Sequence, residues 1–357
     1  MQTQIFTAHK RHLGMRAPTV LAVGFALTIL VGALVLMLPV SAADGQITPF
    51  LDALFTAASA SCVTGLVTVS TAVHWSVFGK CVILLLIQIG GMGVITVAAS
   101  FAMISGRKIS LMQRSTMQEA ISAPKVGGIV RLTGFIVRVT LVMELLCAAV
   151  MAPVFCRDFG KKGLWMALFH SVSAFCNAGF DLLGVRTSFS SLTSYAANPV
   201  INFTIMFLIV VGGIGFLTWD DIRANRLHLR KYRMQSKVIL TTTALLILIP
   251  AVIFYFLEFN GPEWQGWGAR IWASLFQSVT PRTAGFNTVD LTAMSEPGQL
   301  LTAILMLIGG SPGSTAGGMK TTTLAVLLLS GWAVFYRKED TQCYGRRISE
   351  ETVRYAA

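Results

Sequence analysis

Charge is what this chain has least of. Asp, Glu, Lys and Arg make up only 12% of its 357 residues, against roughly 25% in a soluble domain. The apolar share is 54% and the mean hydropathy +0.68. So little charge cannot coat a water-exposed surface, so the composition excludes an ordinary soluble domain and points to a lipid-facing one. Cysteine is scarce as well. Six residues (Cys62, Cys81, Cys147, Cys156, Cys176, Cys343) lie scattered with no CxxC pair, so they form neither a disulfide framework nor a metal site and read as small apolar fillers. Also missing is any Ser/His/Asp arrangement or carboxylate pair at membrane depth, so the chain is expected not to be an enzyme.

The charge that is present is strongly basic, net +12. Its placement argues against nucleic acid as a partner. The N-terminus (Lys10, Arg11, Arg16), segment 105–131, segment 220–237 and the tail (Arg337, Lys338, Arg346, Arg347, Arg354) hold 19 of the 28 Lys and Arg, and the alternate segments 41–77, 156–198 and 258–299 hold 6. Such alternation is the positive-inside signature, and it predicts both termini in the cytoplasm.

About 20 apolar residues are needed to cross a bilayer. Runs of that kind lie at 17–40, 78–104, 129–155, 199–219, 238–257 and 298–332, so six crossings are expected. The first has no small-residue cleavage site and reads as a membrane helix rather than a signal peptide. Between paired spans lie stretches too long for hairpin loops and too short to cross, and these repeat: LFTAASASCVTGL (54–66), LFHSVSAFCNAGF (168–180) and LFQSVTPRTAGF (275–286). The interval from Phe to the late Gly is 10, 10 and 9 residues, and a glycine cluster follows inside the next span: IGGMG (89–93), VGGIG (211–215), IGGSPG (308–313). Three copies with matching landmarks define a repeat.

The expected architecture is an all-α integral membrane protein of tandem helix–pore helix–filter loop–helix units around a potassium-channel-like pore. Its repeats run over 17–104, 129–219 and 238–332, with filters near 62–66, 176–180 and 282–286, an N-terminal segment 1–16 and a tail 333–357. Irregular backbone survives at membrane depth only where protein buries it or it lines water. A short helix ending there directs its partly negative end at the membrane centre. The turn that follows can offer backbone carbonyls in place of a cation's water shell: Val63-Thr64-Gly65, Asn177-Ala178-Gly179 and Thr283-Ala284-Gly285. Glycine suits these turns because an inward-facing carbonyl demands torsions that a Cβ resists.

These motifs, with DALFTAASASCVTGL, ILLLIQIGGMGVIT, ALFHSVSAFCNAGFDL, SVTPRTAGFNTVD and MLIGGSPGSTAGGMKTTT, resemble the membrane subunits of the Trk/Ktr/HKT superfamily of potassium transporters, from about residue 17 to the end. GRKISLMQRSTMQEA (106–120) looks most like the bacterial Ktr branch. The resemblance implies that Gly65, Gly179 and Gly285 are filter glycines, and that Gly65, where plant relatives carry a sodium-favouring serine, gives a potassium-permissive filter. It implies potassium as the transported ion with Na+ as a possible coupling or activating ion, no covalent cofactor, a homodimer in the bacterial inner membrane, and a cytoplasmic nucleotide-binding regulatory ring. It also implies four repeats where this chain has three, so a C-terminally shortened chain is expected.

GSTAGGMKTT (313–322) nearly spells a phosphate-binding loop, but Met319 intervenes before Lys320 and no strand precedes it. By resemblance, the segment 310–318 is instead an intramembrane gate: Gly310, Ser311, Pro312, Gly313, Ser314, Thr315, Gly317 and Gly318 break the inner helix below the filter, and Lys320 places a cation in the vestibule. Glu144, ionisable within a span, is expected to pair with Arg138. Trp75, Trp165, Trp264 and Trp267 read as interfacial anchors, and His74 and His170 as lying near the outer surface. The competing architecture is an alternating-access secondary cation transporter with broken helices. It is disfavoured because those folds use inverted rather than same-direction repeats.

Overall fold

A computed structural model describes residues 17–104, 109–121, 127–226, 228–261, 264, 266–338 and 340–356. The expected N-terminal segment 1–16 lies outside the described residues. The helices run in chain order as α1 (Ala17–Leu36), α2 (Phe50–Cys62), α3 (Thr71–His74), α4 (Val77–Met92), α5 (Val94–Ile104), α6 (Leu111–Ile121), α7 (Ile129–Phe159), α8 (Lys162–Phe175), α9 (Pro199–Gly213), α10 (Phe216–Asn225), α11 (Met234–Leu257), α12 (Trp267–Val279), α13 (Glu296–Leu307), α14 (Thr321–Phe335) and α15 (Glu350–Ala356). The hairpin Gln342–Cys343 with Arg346–Arg347 precedes α15.

One unit recurs three times. A long apolar helix (α1, α7 or α11) packs along a short one (α2, α8 or α12), and each of these pairs is among the most extensive contacts in the molecule. The long helices are each long and apolar enough to cross a bilayer. α7 shows why its orientation is fixed. Ile129, Thr133, Ile136, Thr140, Glu144, Cys147, Met151 and Phe155 are buried at spacings of three and four, which is one helical face. Leu141, Val142, Leu145, Leu146 and Val150 are exposed, and such apolar side chains suit lipid. The short helices have 13, 14 and 13 residues, about 20 Å at 1.5 Å per residue, too short to cross.

The third member of each unit departs from expectation. Sequence reading takes 78–104 and 199–219 as unbroken crossings, but both are interrupted at the last glycine of their cluster. Gly93 (φ 82°, ψ 134°) separates α4 from α5, and Gly215 (φ 89°, ψ 144°) separates α9 from α10. The α9–α10 bend is 96°. In the third unit the loop from Ile308 to Lys320 separates α13 from α14. A glycine with positive φ and extended ψ cannot continue a helix, so each inner element is two half-helices.

Candidate functional site

Each short helix ends in the same turn. The residue that opens the turn is left-handed despite having a side chain: Val63 (φ 57°) at the cap of α2, Asn177 (φ 55°) just after the cap of α8 and Thr283 (φ 68°) three residues past the cap of α12. Two residues later comes a positive-φ glycine, Gly65 (75°), Gly179 (69°) or Gly285 (80°). For Asn the left-handed region is tolerable, whereas for β-branched Val and Thr it is an outlier of the kind that accumulates at functional sites. The middle amide of each triplet folds back on its own helix: Thr64 N donates to Ser59 O (2.9 Å), Ala178 N to Ser173 O (2.7 Å) and Ala284 N to Thr280 O (3.0 Å). Among the described residues, the carbonyls of the three triplets accept no hydrogen bond. Two turns are pinned again beyond the glycine, where the hydroxyls of Ser173 and Thr280 donate to the Phe180 and Phe286 carbonyls. In the first turn Thr64 Oγ1 donates instead to Ser59 Oγ at 2.9 Å.

The three glycine turns, 114 and 106 residues apart in the chain, meet. A Cβ placed on Gly65 would stand 2.5 Å from the Ala178 carbonyl oxygen and 3.2 Å from Gly179 Cα. One on Gly179 would stand 2.7 Å from the Ala284 oxygen and 3.0 Å from Gly285 Cα. Backbone therefore packs on backbone, and neither glycine admits a side chain without displacing its neighbour's carbonyl. The middle turn, 176–180, is wholly buried. The outer two border a cavity of about 840 Å³ lined by Cys62 to Leu66, Thr280, Pro281, Thr283, Gly285 and the loop residues Thr315 to Gly318.

The glycine clusters let the inner half-helices close on these turns. A Cβ on Gly90 would collide with the Ser61 carbonyl, and one on Gly212 with the Phe175 carbonyl. Ser61 and Phe175 each stand two residues before the left-handed position. In the third unit the corresponding Gly309 lies instead against Gly317 of its own loop.

That loop is not helical. Gly309 N donates to Met319 O (3.0 Å), Gly310 N to Gly317 O (3.1 Å) and Met319 N to Leu307 O (3.2 Å), closing 308–319 into a flattened, hairpin-like loop whose ends bridge in parallel at Ile308 and Met319. Ser311 N and Thr315 N bind the Gly213 and Gly212 carbonyls at 2.9 and 3.2 Å. Thr315 Oγ1 donates to Phe175 O at 2.9 Å, directly beneath the second turn. Ser311 Oγ meets Thr321 Oγ1 at 2.9 Å, and Ser314 Oγ donates to Ser311 O at 2.6 Å. Pro312 and Gly313 form the tip, where Phe216 N donates to Gly313 O at 2.7 Å and Gly313 abuts the Ile121 carbonyl of α6. Gly318 lies close to Thr283 Cγ2, so the hairpin also reaches the third turn. Lys320 Nζ donates to Ala316 O at 2.8 Å, tying this cation to the loop.

Other expected roles change. Glu144 and Arg138 make no ion pair among the described residues. Six helical positions place them on different faces, Arg138 exposed and Glu144 buried. His170 is fully buried in α8. Its Nδ1 faces the Met166 carbonyl (2.7 Å) and its Nε2 accepts from Leu182 N (3.4 Å), bracing the segment after the second turn. Trp75 is buried in the core, not an interfacial anchor. Sequence reasoning missed the half-helix breaks and the contact between the loop tip and α6. Gly93 and Gly215 were the available signals for the breaks.

Short helices that end in glycine turns packed around one centre, with a non-helical hairpin lodged beneath, define a polytopic membrane protein built around an ion pathway. The family model described as TrkH, cation transport protein, matches residues 3–357, and the chain belongs to that family. Among its relatives is the potassium/sodium uptake protein NtpJ of Enterococcus hirae, 41% identical over 93% of this chain and 73% of the relative. Ktr system potassium uptake protein B of Bacillus subtilis is 42% identical over 93% of this chain and 74% of the relative. The fold is similar to that of the potassium transporter TrkH from Vibrio parahaemolyticus, with TM-score 0.68 and 20% identity over 98% of this chain and 69% of that one.

Proposed function

We propose that this protein takes up potassium across the cell membrane as the ion-translocating subunit of a Ktr-type system. Carbonyls of Val63-Thr64-Gly65, Asn177-Ala178-Gly179 and Thr283-Ala284-Gly285 are its filter, and the hairpin 310–318 with Lys320 is its gate. The observation that carries this reading is the meeting of the three glycine turns. Only a site that must hold bare carbonyls around one axis has reason to place three left-handed turns against one another. The relatives' names, potassium and potassium/sodium uptake proteins, support the choice of ion and the possible involvement of Na+. In this reading the repeats run over 17–104, 129–219 and 238–332, and the termini and the basic segment 220–237 face the cytoplasm. A homodimer and a nucleotide-binding regulatory ring complete the system.

The half-helix breaks fit a carrier as well as a pore, so the test must separate the two. Potassium uptake should be measured in cells lacking their own uptake systems, and the thermal midpoint of the purified protein in potassium against choline. Flux that rises with potassium well beyond the range where a carrier saturates, together with a potassium-specific rise in midpoint, is the expected result. A protein that shows no potassium flux and no stabilisation by potassium would overturn the reading.

A further inference from the structure

Behind the second turn lies a buried polar cluster that the filter-and-gate reading does not use. Glu144, from the buried face of α7, is 2% exposed. Its main-chain carbonyl accepts Ser171 Oγ of the short helix α8 at 2.7 Å, so α7 is fixed to α8 at this residue. Its carboxyl faces Gln88 of α4 and Cys176. Gln88 Oε1 in turn lies 4.0 Å from Cys176 Sγ, and Gly91, one helical turn on, leaves room for that thiol against α4. Cys176 is the residue that enters the turn Asn177-Ala178-Gly179.

Two atoms in this cluster lack partners. Glu144 Oε1 and Gln88 Nε2 are both buried and make no hydrogen bond. One is an acceptor and the other a donor, on facing side chains. An unpaired buried polar group is costly, and ionisable residues inside membranes are rare and retained for a use. Packing alone would place a leucine at either position.

We propose that Glu144 and Gln88, which face each other with these two atoms still unpaired in this structure, close into a carboxyl–amide pair that holds Cys176, and with it the second filter turn, in register between the first and second repeats. Glu144 is thus a positioning residue for ion selectivity. The second turn is where such support matters most, because it touches both neighbours: Gly179 stands against Gly65 on one side and Gly285 on the other. A shift at Cys176 therefore reaches all three turns.

The inference rests on the uptake reading, and the wild-type protein separates the two. If wild-type protein shows no response to potassium in flux or thermal midpoint, the uptake reading has failed. Given a wild-type response, three variants of the full chain decide the pair. Glu144→Gln keeps an acceptor for Gln88 and should retain wild-type discrimination of potassium over sodium. Glu144→Met and Gln88→Met each remove the bond while conserving volume. Each should lower the discrimination by about 2- to 10-fold, the factor that one net hydrogen bond supplies. The double Met variant should do no more than either single one, because both delete the same bond. Discrimination is read as the ratio of potassium to sodium uptake, and independently as the ratio of the salts' midpoint shifts. Either Met variant keeping wild-type discrimination at normal abundance overturns the proposal. So does loss of discrimination in Glu144→Gln, which would assign the role to charge rather than pairing. If one Met variant does not accumulate, the other tests the same bond from the opposite helix, and Glu144→Gln stands by itself.

Discussion

The three glycines proposed for the filter are not interchangeable, and their surroundings rank them. A serine Cβ at Gly65 or Gly179 would press on a neighbouring carbonyl oxygen, the group proposed to coordinate the ion, whereas at Gly285 it would meet only Gly179 Cα at 3.3 Å. Gly65→Ser and Gly179→Ser should therefore depress potassium selectivity more than Gly285→Ser, as measured by sodium competition against potassium uptake. Equal effects at all three would mean that the positive φ they share, and not the carbonyl contact, sets the sensitivity. Cys62 gives a second handle. It is a free, exposed thiol at the last position of α2 and lines the cavity beside Gly65. A small thiol reagent should block uptake in wild-type protein and not in Cys62→Ser, and potassium should slow the block. A wild-type protein that stays active after full modification at Cys62 would place the ion path elsewhere.

At the scale of the element, the hairpin 308–319 is held by the second repeat as much as by its own. One of its external ties is Thr315 Oγ1 on the Phe175 carbonyl, a buried hydrogen bond across 140 residues of sequence. Removing one such bond costs about 1 kcal/mol, close to fivefold in an equilibrium between lodged and released loop. Thr315→Val conserves the shape and should raise potassium flux by up to that factor, while deletion of the loop should raise it further and free it from cytoplasmic regulation. Reduced flux in both variants at normal abundance would make the hairpin part of the conduction path rather than its gate. The hairpin was legible from sequence because four glycines and a proline crowd into 310–318, an expensive choice inside a helix. The turns were legible because the Phe-to-Gly interval recurs. The breaks at Gly93 and Gly215 were not, since a single glycine in an apolar run serves helix packing as readily as helix ending, and only the backbone angles distinguish the two. Nor was the setting of Glu144, whose neighbours Gln88 of α4 and Cys176 at the cap of α8 lie 56 and 32 residues away. Local spacing offered only Arg138.

For the whole molecule, charge and geometry make one joint demand. The short helices α2, α8 and α12 bring their C-terminal turns together at the three glycines. The basic segment 220–237 begins within the half-helix α10, whose first residue, Phe216, donates its N–H to Gly313 O at the tip of the hairpin, while Thr315 farther along the hairpin meets the second turn. Arg233, which bridges Asp220 and Asp221 at 3.0 and 3.2 Å, fixes how α11 leaves that segment. If this end is cytoplasmic, the basic residues obey the positive-inside rule and the turns open toward the outside, the orientation that uptake requires. An inverted insertion would expose the hairpin end to the exterior and put the regulatory side out of reach of any cytoplasmic partner. Asp44→Cys, in the exposed stretch between α1 and α2, and Arg230→Cys, exposed in the basic segment, report the two sides. In intact cells an impermeant thiol reagent should label the first and spare the second until the membrane is opened. The parent should carry Cys62→Ser so that the cavity thiol adds no signal. Labelling of Arg230→Cys from outside would reverse the topology, and with it the assignment of the hairpin as a gate on the cytoplasmic side of the filter.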